Sequence, residues 1–254
     1  VRAATAYALL SLVVLFWAGN VITARALHEH VPPFTLSFWR WSLAFLCLWP
    51  WIGRELRASA VAIRRHWRSL VAAGVLGMTA YSSLVYLGLQ STSATNAALI
   101  NAALPVIIAL IGSVFYRQRL VILQWCGIAV SLAGVIVVVL HTGGGTAALN
   151  AGDLWVLAAV VGFAVYTVAF GRGNAGLSPG CYLAVIIAVA ALAGLPLHLW
   201  ELAVTPPIYT PALPAAVAYL AVFPSILSYA FWRKGDETLG PARAGAVLNL
   251  LPVF

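Results

Sequence analysis

Arg40 is the one charged side chain set deep in an apolar run, about eight residues into it. Facing it toward lipid costs at least about 2.5–3.5 kcal/mol on insertion scales, so the guanidinium must turn inward to carbonyls or an anion. Two roles fit: a counter-charge for a substrate carboxylate or phosphate, or a tie to a neighbouring helix's carbonyls. Pro105 and Pro252 each withhold a backbone donor and free a carbonyl four residues earlier, at Asn101 and Leu248. Such groups must be satisfied within protein or a wet cavity. Asn101 and Asn249 add side-chain amides in the same turns. The pattern suits a pair of hinges lining a cavity, and equally two ordinary kinks whose asparagines bond between helices.

Further polar and aromatic residues fall in mid-run positions. Trp17 and Asn20 share a helical face with Ala24, and Tyr166 shares one with Phe170. Tyr81, Ser82 and Tyr86 form a third set; Ser228, Tyr229 and Trp232 form a fourth. A cavity mixing aromatics, hydroxyls and amides would hold a small amphipathic solute. The alternative is interfacial aromatics with helix-packing serines. That alternative suits Trp49, Trp51, Trp67, Trp155 and Trp200, which lie near the ends of their runs.

Other chemistries lack their residues. The six carboxylates (Glu29, Glu55, Asp153, Glu201, Asp236, Glu237) lie in loops or at helix ends. His28, His30, His66 and His141 are in loops, and His198 closes an apolar run, so no titrating relay is expected in mid-membrane. Cys47, Cys126 and Cys181 read as small apolar residues, with no disulfide and no metal site. No Ser/His pair, buried aspartate pair or His-Glu-x-x-His motif suggests an enzyme, and no cofactor is expected. Gly171-Arg-Gly173-Asn-Ala-Gly176 fits a dinucleotide pattern but follows an apolar helix and no strand; Gly143-Gly-Gly145 lacks the Gly-Lys-Ser/Thr ending of a phosphate loop. Both read as turns. Gly127, Ser131 and Gly134 read as small residues for close helix contact.

The elements that must position these residues are membrane spans. Of the 254 residues 63% are hydrophobic and 8% charged, where soluble domains carry roughly 25% charged residues. Mean hydropathy is +0.99. Nine runs reach or approach the roughly 20 residues a spanning helix requires: about 4–24, 32–52, 69–88, 93–115, 121–140, 152–171, 179–200, 213–232 and 240–254. No cleavable signal is expected, because the first run is long enough to span.

Loop charge sets the orientation. Arg54, Arg57, Arg64, Arg65 and Arg68 follow the second run, Arg117 and Arg119 the fourth, Arg172 the sixth, and Arg233 and Lys234 the eighth. Alternate loops therefore face the cytoplasm, and so does the amino terminus. The net charge of +8 is explained by this topology, and no nucleic-acid partner is expected.

The chain also resembles itself at an offset of 147. Phe16 meets Phe163, Val21 meets Val168, Arg25 meets Arg172, Ala97 meets Ala244, and Leu104-Pro105-Val106 meets Leu251-Pro252-Val253. A unit of five spans, an odd number, must be inverted in its second copy. The expectation is a first five-helix repeat over 1–140 and a second over 152–254. A tenth span would fall at roughly 268–287, beyond the last residue here.

These landmarks resemble the EamA-type ten-helix members of the drug/metabolite transporter superfamily. The resemblance rests on Leu15-Phe-Trp-Ala-Gly-Asn20, Phe38-Trp-Arg-Trp-Ser42, Ser93 through Pro105, Gln124-Trp-Cys-Gly127 and Gly152-Asp-Leu-Trp155. Arg117-Gln118-Arg119 stands where the family commonly has Gly-Glu. The resemblance implies an all-α integral membrane protein of two inverted five-helix repeats in a bacterial inner membrane. It implies a carrier that opens alternately to either side of a central cavity, and many bacterial relatives export amino acids. The cavity candidates are Trp17, Asn20, Arg40, Tyr81, Ser82, Asn101, Tyr166, Ser228, Tyr229 and Asn249, with Pro105 and Pro252 as hinges. The partners expected are a small-molecule substrate and the lipid bilayer. Transport of nucleotide sugars or sugar phosphates, which would call for several buried cations, and a passive channel are the alternatives. The oligomeric state is left open.

Overall fold

The computed structural model describes residues 3–116, 150–170, 175–239 and 247–253, with isolated positions at 122, 125–127, 129–130, 133 and 244. Helices, turns and short irregular connections account for the described residues, with no strand among them. The first three helices are α1 (Ala3–Ala26), α2 (Pro33–Ala58) and α3 (Ala60–Arg65). A third membrane-length rod is composite: α4 (Trp67–Gly74), a π-helical turn over Val75–Ala80, and α5 (Tyr81–Gly88). Then come α6 (Ala94–Ala102), α7 (Leu104–Tyr116), α8 (Ala151–Ala169) and α9 (Pro179–Val204). The last rod joins α10 (Leu213–Ala221), a π-helical turn over Val222–Leu227, and α11 (Ser228–Leu239), and a 3₁₀ segment covers Leu248–Val253.

Local chemistry sets the helix starts. Ser93, Asn150 and Ser178 accept, through their side-chain oxygens, the N–H groups of Asn96, Gly152 and Cys181 at 3.1, 2.8 and 3.2 Å. Each satisfies a donor that the first turn leaves without an intrahelical partner. Pro33 and Pro179 open α2 and α9, where a missing N–H costs nothing.

Six described rods are long and apolar enough to cross a membrane: Ala3–Ala26, Trp67–Gly88, Ala94–Phe115, Ala151–Ala169, Pro179–Val204 and Leu213–Leu239. They match the first, third, fourth, sixth, seventh and eighth expected spans. The second, α2, has the length, about 39 Å at 1.5 Å per residue, but carries Arg40 and a charged end. The fifth expected span, 121–140, lies largely outside the described residues. So do Arg117, Arg119, Ser131, Gly134 and the turns 143–145 and 171–174. Of the ninth, expected to be helical from 240, the described stretch Leu248–Val253 is 3₁₀ and not α; a tighter turn there accommodates Pro252, which cannot donate to an α-helical ladder.

Large apolar side chains lie on both inner and outer faces. Ile22, Leu46, Trp51, Val114 and Leu192 are exposed on the outside, a costly arrangement in water and a favourable one in hydrocarbon. Inside, one cluster joins Leu10, Tyr86, Ile100, Val156 and Leu220. Another joins Trp41, Leu70, Met78, Ile186 and Ile187.

α2 lies along α9, α1 along α11, and α5 along α8. Glycine permits the closest approach. A Cβ on Gly88 would stand 2.6 Å from the Gly152 carbonyl oxygen, so α5 and the start of α8 meet backbone to backbone. The same corner buries Asp153, which accepts a hydrogen bond from the Thr92 hydroxyl.

Candidate functional site

Arg40 lies 4% exposed at the meeting point of α1, α2, α5 and the π turn before α11. Its Nε donates to Ser225 Oγ at 2.7 Å. Nη1 donates to Asn20 Oδ1 at 3.0 Å and to the Tyr86 hydroxyl at 2.9 Å. Nη2 donates to the Pro224 carbonyl at 3.3 Å. Trp41 covers one face, its ring centroid 4.4 Å from the guanidinium carbon. Every hydrogen-bonding partner is neutral. Among the described residues the salt bridges are His28–Glu29 and Arg233–Glu237, and neither touches Arg40. The charge is thus solvated by protein dipoles and neutralised by none.

The π turn makes this possible. Pro224 has no N–H to give Leu220, and the Ser225 hydroxyl donates to that Leu220 carbonyl instead, at 2.8 Å. Ser228 Oγ likewise donates five residues back, to Phe223 O at 3.0 Å. The wide turn aims the Pro224 carbonyl into the bundle, where it accepts from Trp17 Nε1 at 3.2 Å as well as from Arg40.

A cavity of about 40 Å³ adjoins this cluster. Trp17, Asn20 and Val21 of α1 line it, with Arg40 and Trp41 of α2 and Tyr81 of α5. Asn101, Leu104, Phe163, Tyr229, Leu248 and Leu251 complete the lining. Tyr81 donates to Asn101 Oδ1 at 2.7 Å and packs on Phe163 at 4.8 Å between ring centroids. Asn101 Nδ2 donates to Ala97 O at 2.8 Å. The lining combines the Arg40 cation with leucine and aromatic side chains. On this measure a water needs about 10–15 Å³, so the space has room for about three or four. As the helices stand, the hollow is smaller than a metabolite.

Six expected residues therefore meet at one cavity: Trp17, Asn20, Arg40, Tyr81, Asn101 and Tyr229. Three others do not line it. Ser82 Oγ donates to Met78 O at 2.7 Å, accepts from Trp41 Nε1 at 2.9 Å and contacts Ser37 Oγ at 2.6 Å, so it fastens α2 to α5. Tyr166 is buried against Phe163, and its ring sits where a side chain on Gly77 would be. Ser228 closes the π turn. The side chains of Asn249 and Pro252 lie outside the described residues. Pro105 does mark an interruption: α6 ends at Ala102 and α7 begins at Leu104.

Sequence reasoning missed Ser225, Pro224 and Trp41, which hold the guanidinium, and Phe163, Leu104, Leu248 and Leu251, which line the hollow. A mid-span Pro-Ser pair was the available signal for the first two; the apolar residues carried none. Two carboxylates at helix ends are buried. Glu201 is 5% and Asp153 0% exposed, because each end is buried against another helix.

The model of the EamA-like transporter family matches residues 4–140 and 150–254. A protein of Bacillus subtilis named as the uncharacterized transporter YyaM is 25% identical over 94% of this chain and 80% of its own. An uncharacterized transporter of Archaeoglobus fulgidus is 28% identical over 97% of this chain and 85% of its own. A probable terminal-alkyne amino-acid exporter of Streptantibioticus cattleyicolor is 31% identical over 70% of this chain and 59% of its own. A crystal structure with a TM-score of 0.66 and 21% identity covers 98% of this chain and 85% of its own, a likeness of fold alone.

Proposed function

The chain belongs to the EamA-like transporter family, and on that premise we propose that it exports amino acids by alternating access through the cavity at Arg40. The observation that carries the reading is a buried cation held only by neutral dipoles. A substrate carboxylate that reaches the guanidinium supplies the missing counter-charge and makes bidentate bonds that the carbonyl and hydroxyls cannot. The apolar lining, with Phe163, Leu104 and Leu251, then takes the side chain. The relative named as a probable amino-acid exporter supports the same solute class. Phosphorylated sugars would call for several cations, and among the described residues Arg40 is the one charged side chain lining this cavity.

The proposal includes two inverted five-helix repeats, 1–140 and 152–254, in a bacterial plasma membrane with the amino terminus cytoplasmic. Two features support the repeat. The π turns Val75–Ala80 and Val222–Leu227 are separated by the sequence offset of 147. The pairing of α1 with α11 also answers that of α8 with α5, the corresponding rods of the other half.

Counterflow in proteoliposomes tests the substrate class. Labelled neutral amino acids should accumulate against the same unlabelled amino acid inside. Accumulation confined to sugar phosphates or nucleosides would refute the proposal.

A further inference from the structure

A second hollow, of about 370 Å³, opens beneath the His28–Pro33 loop. Phe34 of α2, Leu87 of α5, Gln90, and Trp200 and Glu201 of α9 line it. The rim is tied by the Ile208 N–H, which donates to His30 O at 2.7 Å. α2 and α5 thus run past both hollows. Phe34 and Leu87 face this one, Arg40 and Tyr81 the central cavity. Between them on the same two helices stand Leu36 and Tyr86, each 2% exposed.

Glu201 spans the joint between α9 and the start of α2. Its carboxylate accepts the N–H groups of Phe34 at 3.1 Å and Thr35 at 2.6 Å, two donors that the first turn of α2 cannot use internally. Thr35 Oγ1 lies 3.0 Å from His198 Nδ1, and Phe38 stacks on the His198 ring at 4.4 Å. Within α9, Glu201 is badly placed. It occupies the last turn, where the helix carbonyls repel an anion. Its favourable contacts are those made across the joint to α2, so separating the two helices removes them together.

We propose that the hollow under the His28–Pro33 loop is the outer vestibule of the transport route, and that Glu201 is the positioning residue that latches α2 to α9 between vestibule and cavity. This rests on the alternating-access reading above. With the latch made, the route is shut on this face. When it parts, the start of α2 swings from α9 and the cavity joins the vestibule.

The test uses the full chain with Cys47, Cys126 and Cys181 replaced by alanine and one reporter, Leu104→Cys, in the cavity. A membrane-impermeant sulfonate thiol reagent is applied to right-side-out and inverted vesicles. Glu201→Gln, which keeps the shape but loses the charge and one acceptor oxygen, should raise labelling from the His28 face at least about fivefold. It should lower labelling from the opposite face, because one population grows at the other's expense. Equal rates in both proteins, or a rise from both faces as in a merely loosened bundle, overturn the latch. Should Glu201→Gln fail to fold, Thr35→Cys with His198→Cys closes the joint covalently. Oxidation should then abolish labelling from the His28 face and reduction restore it; labelling indifferent to oxidation overturns the proposal. Absence of labelling from either face in every variant refutes alternating access itself, an outcome distinct from failure of the latch alone.

Discussion

The Tyr86 hydroxyl donates to Asn20 Oδ1 at 2.7 Å while both groups accept from the same Arg40 nitrogen. The three side chains come from α5, α1 and α2, and close a triangle in which each hydrogen bond orients the next. A charge buried in this way tolerates loss of an acceptor poorly.

Replacing Asn20 with Leu should therefore destabilise the fold by about 1–3 kcal/mol, the cost of leaving a buried donor unmatched. Tyr86→Phe should cost less, because Asn20 remains. The two effects should not add, since both act on one nitrogen. Thermal unfolding of the single and double variants in detergent checks this; strict additivity would show that the triangle is not a unit.

Arg40→Gln should leave the protein folded, because the substitution also removes the desolvated charge. Counterflow of amino acids should fall at least about tenfold, as expected for loss of a charge-assisted contact. Arg40→Lys should restore little, having one compact ammonium where the site offers acceptors in a fork. Undiminished transport by Arg40→Gln would remove the counter-charge role.

Ser225→Ala strips an acceptor from Arg40 Nε and a donor from the Leu220 carbonyl at once. Ser228→Ala frees only the Phe223 carbonyl. The first should lower stability by about 1–3 kcal/mol and transport with it; the second should affect stability alone. Parallel loss of transport in both variants would argue that the turn, and not its link to Arg40, matters.

Gly88→Ala forces a methyl group against the Gly152 carbonyl, whereas Gly112 has no described residue within 4 Å of a new Cβ. The first should cost about 1–3 kcal/mol by overpacking. Gly112→Ala should be neutral or gain up to about 1 kcal/mol from helix propensity. Melting curves of the two variants, prepared alike, give the comparison.

The architecture was legible because membrane helices announce themselves through length and greasiness alone. Arg40 stood out for the same reason, since a charge in hydrocarbon has few places to go. Asn20 followed from spacing along one helix, Asn101 from the carbonyl that Pro105 frees, and Tyr81 from its place in mid-run. Ser82 and Tyr166 show where such placement fails: both point inward and meet a neighbouring helix in place of the hollow. Ser225 and Pro224 were hidden because a π turn shifts the register by a residue, and three-and-four spacing assumes an unbroken α-helix. Glu201 was discounted as terminal, although its end of α9 is buried against the start of α2.

The dipoles gathered around Arg40 also act as a substitute hydration shell. Chloride, the commonest small anion outside a cell, would have to displace those dipoles while offering a single charge and no further contacts. An amino acid brings a fork of two oxygens and a side chain for the greasy lining. The idle protein should accordingly be tight to halide, and a chloride-quenched dye sealed inside vesicles should register no inflow until substrate is supplied.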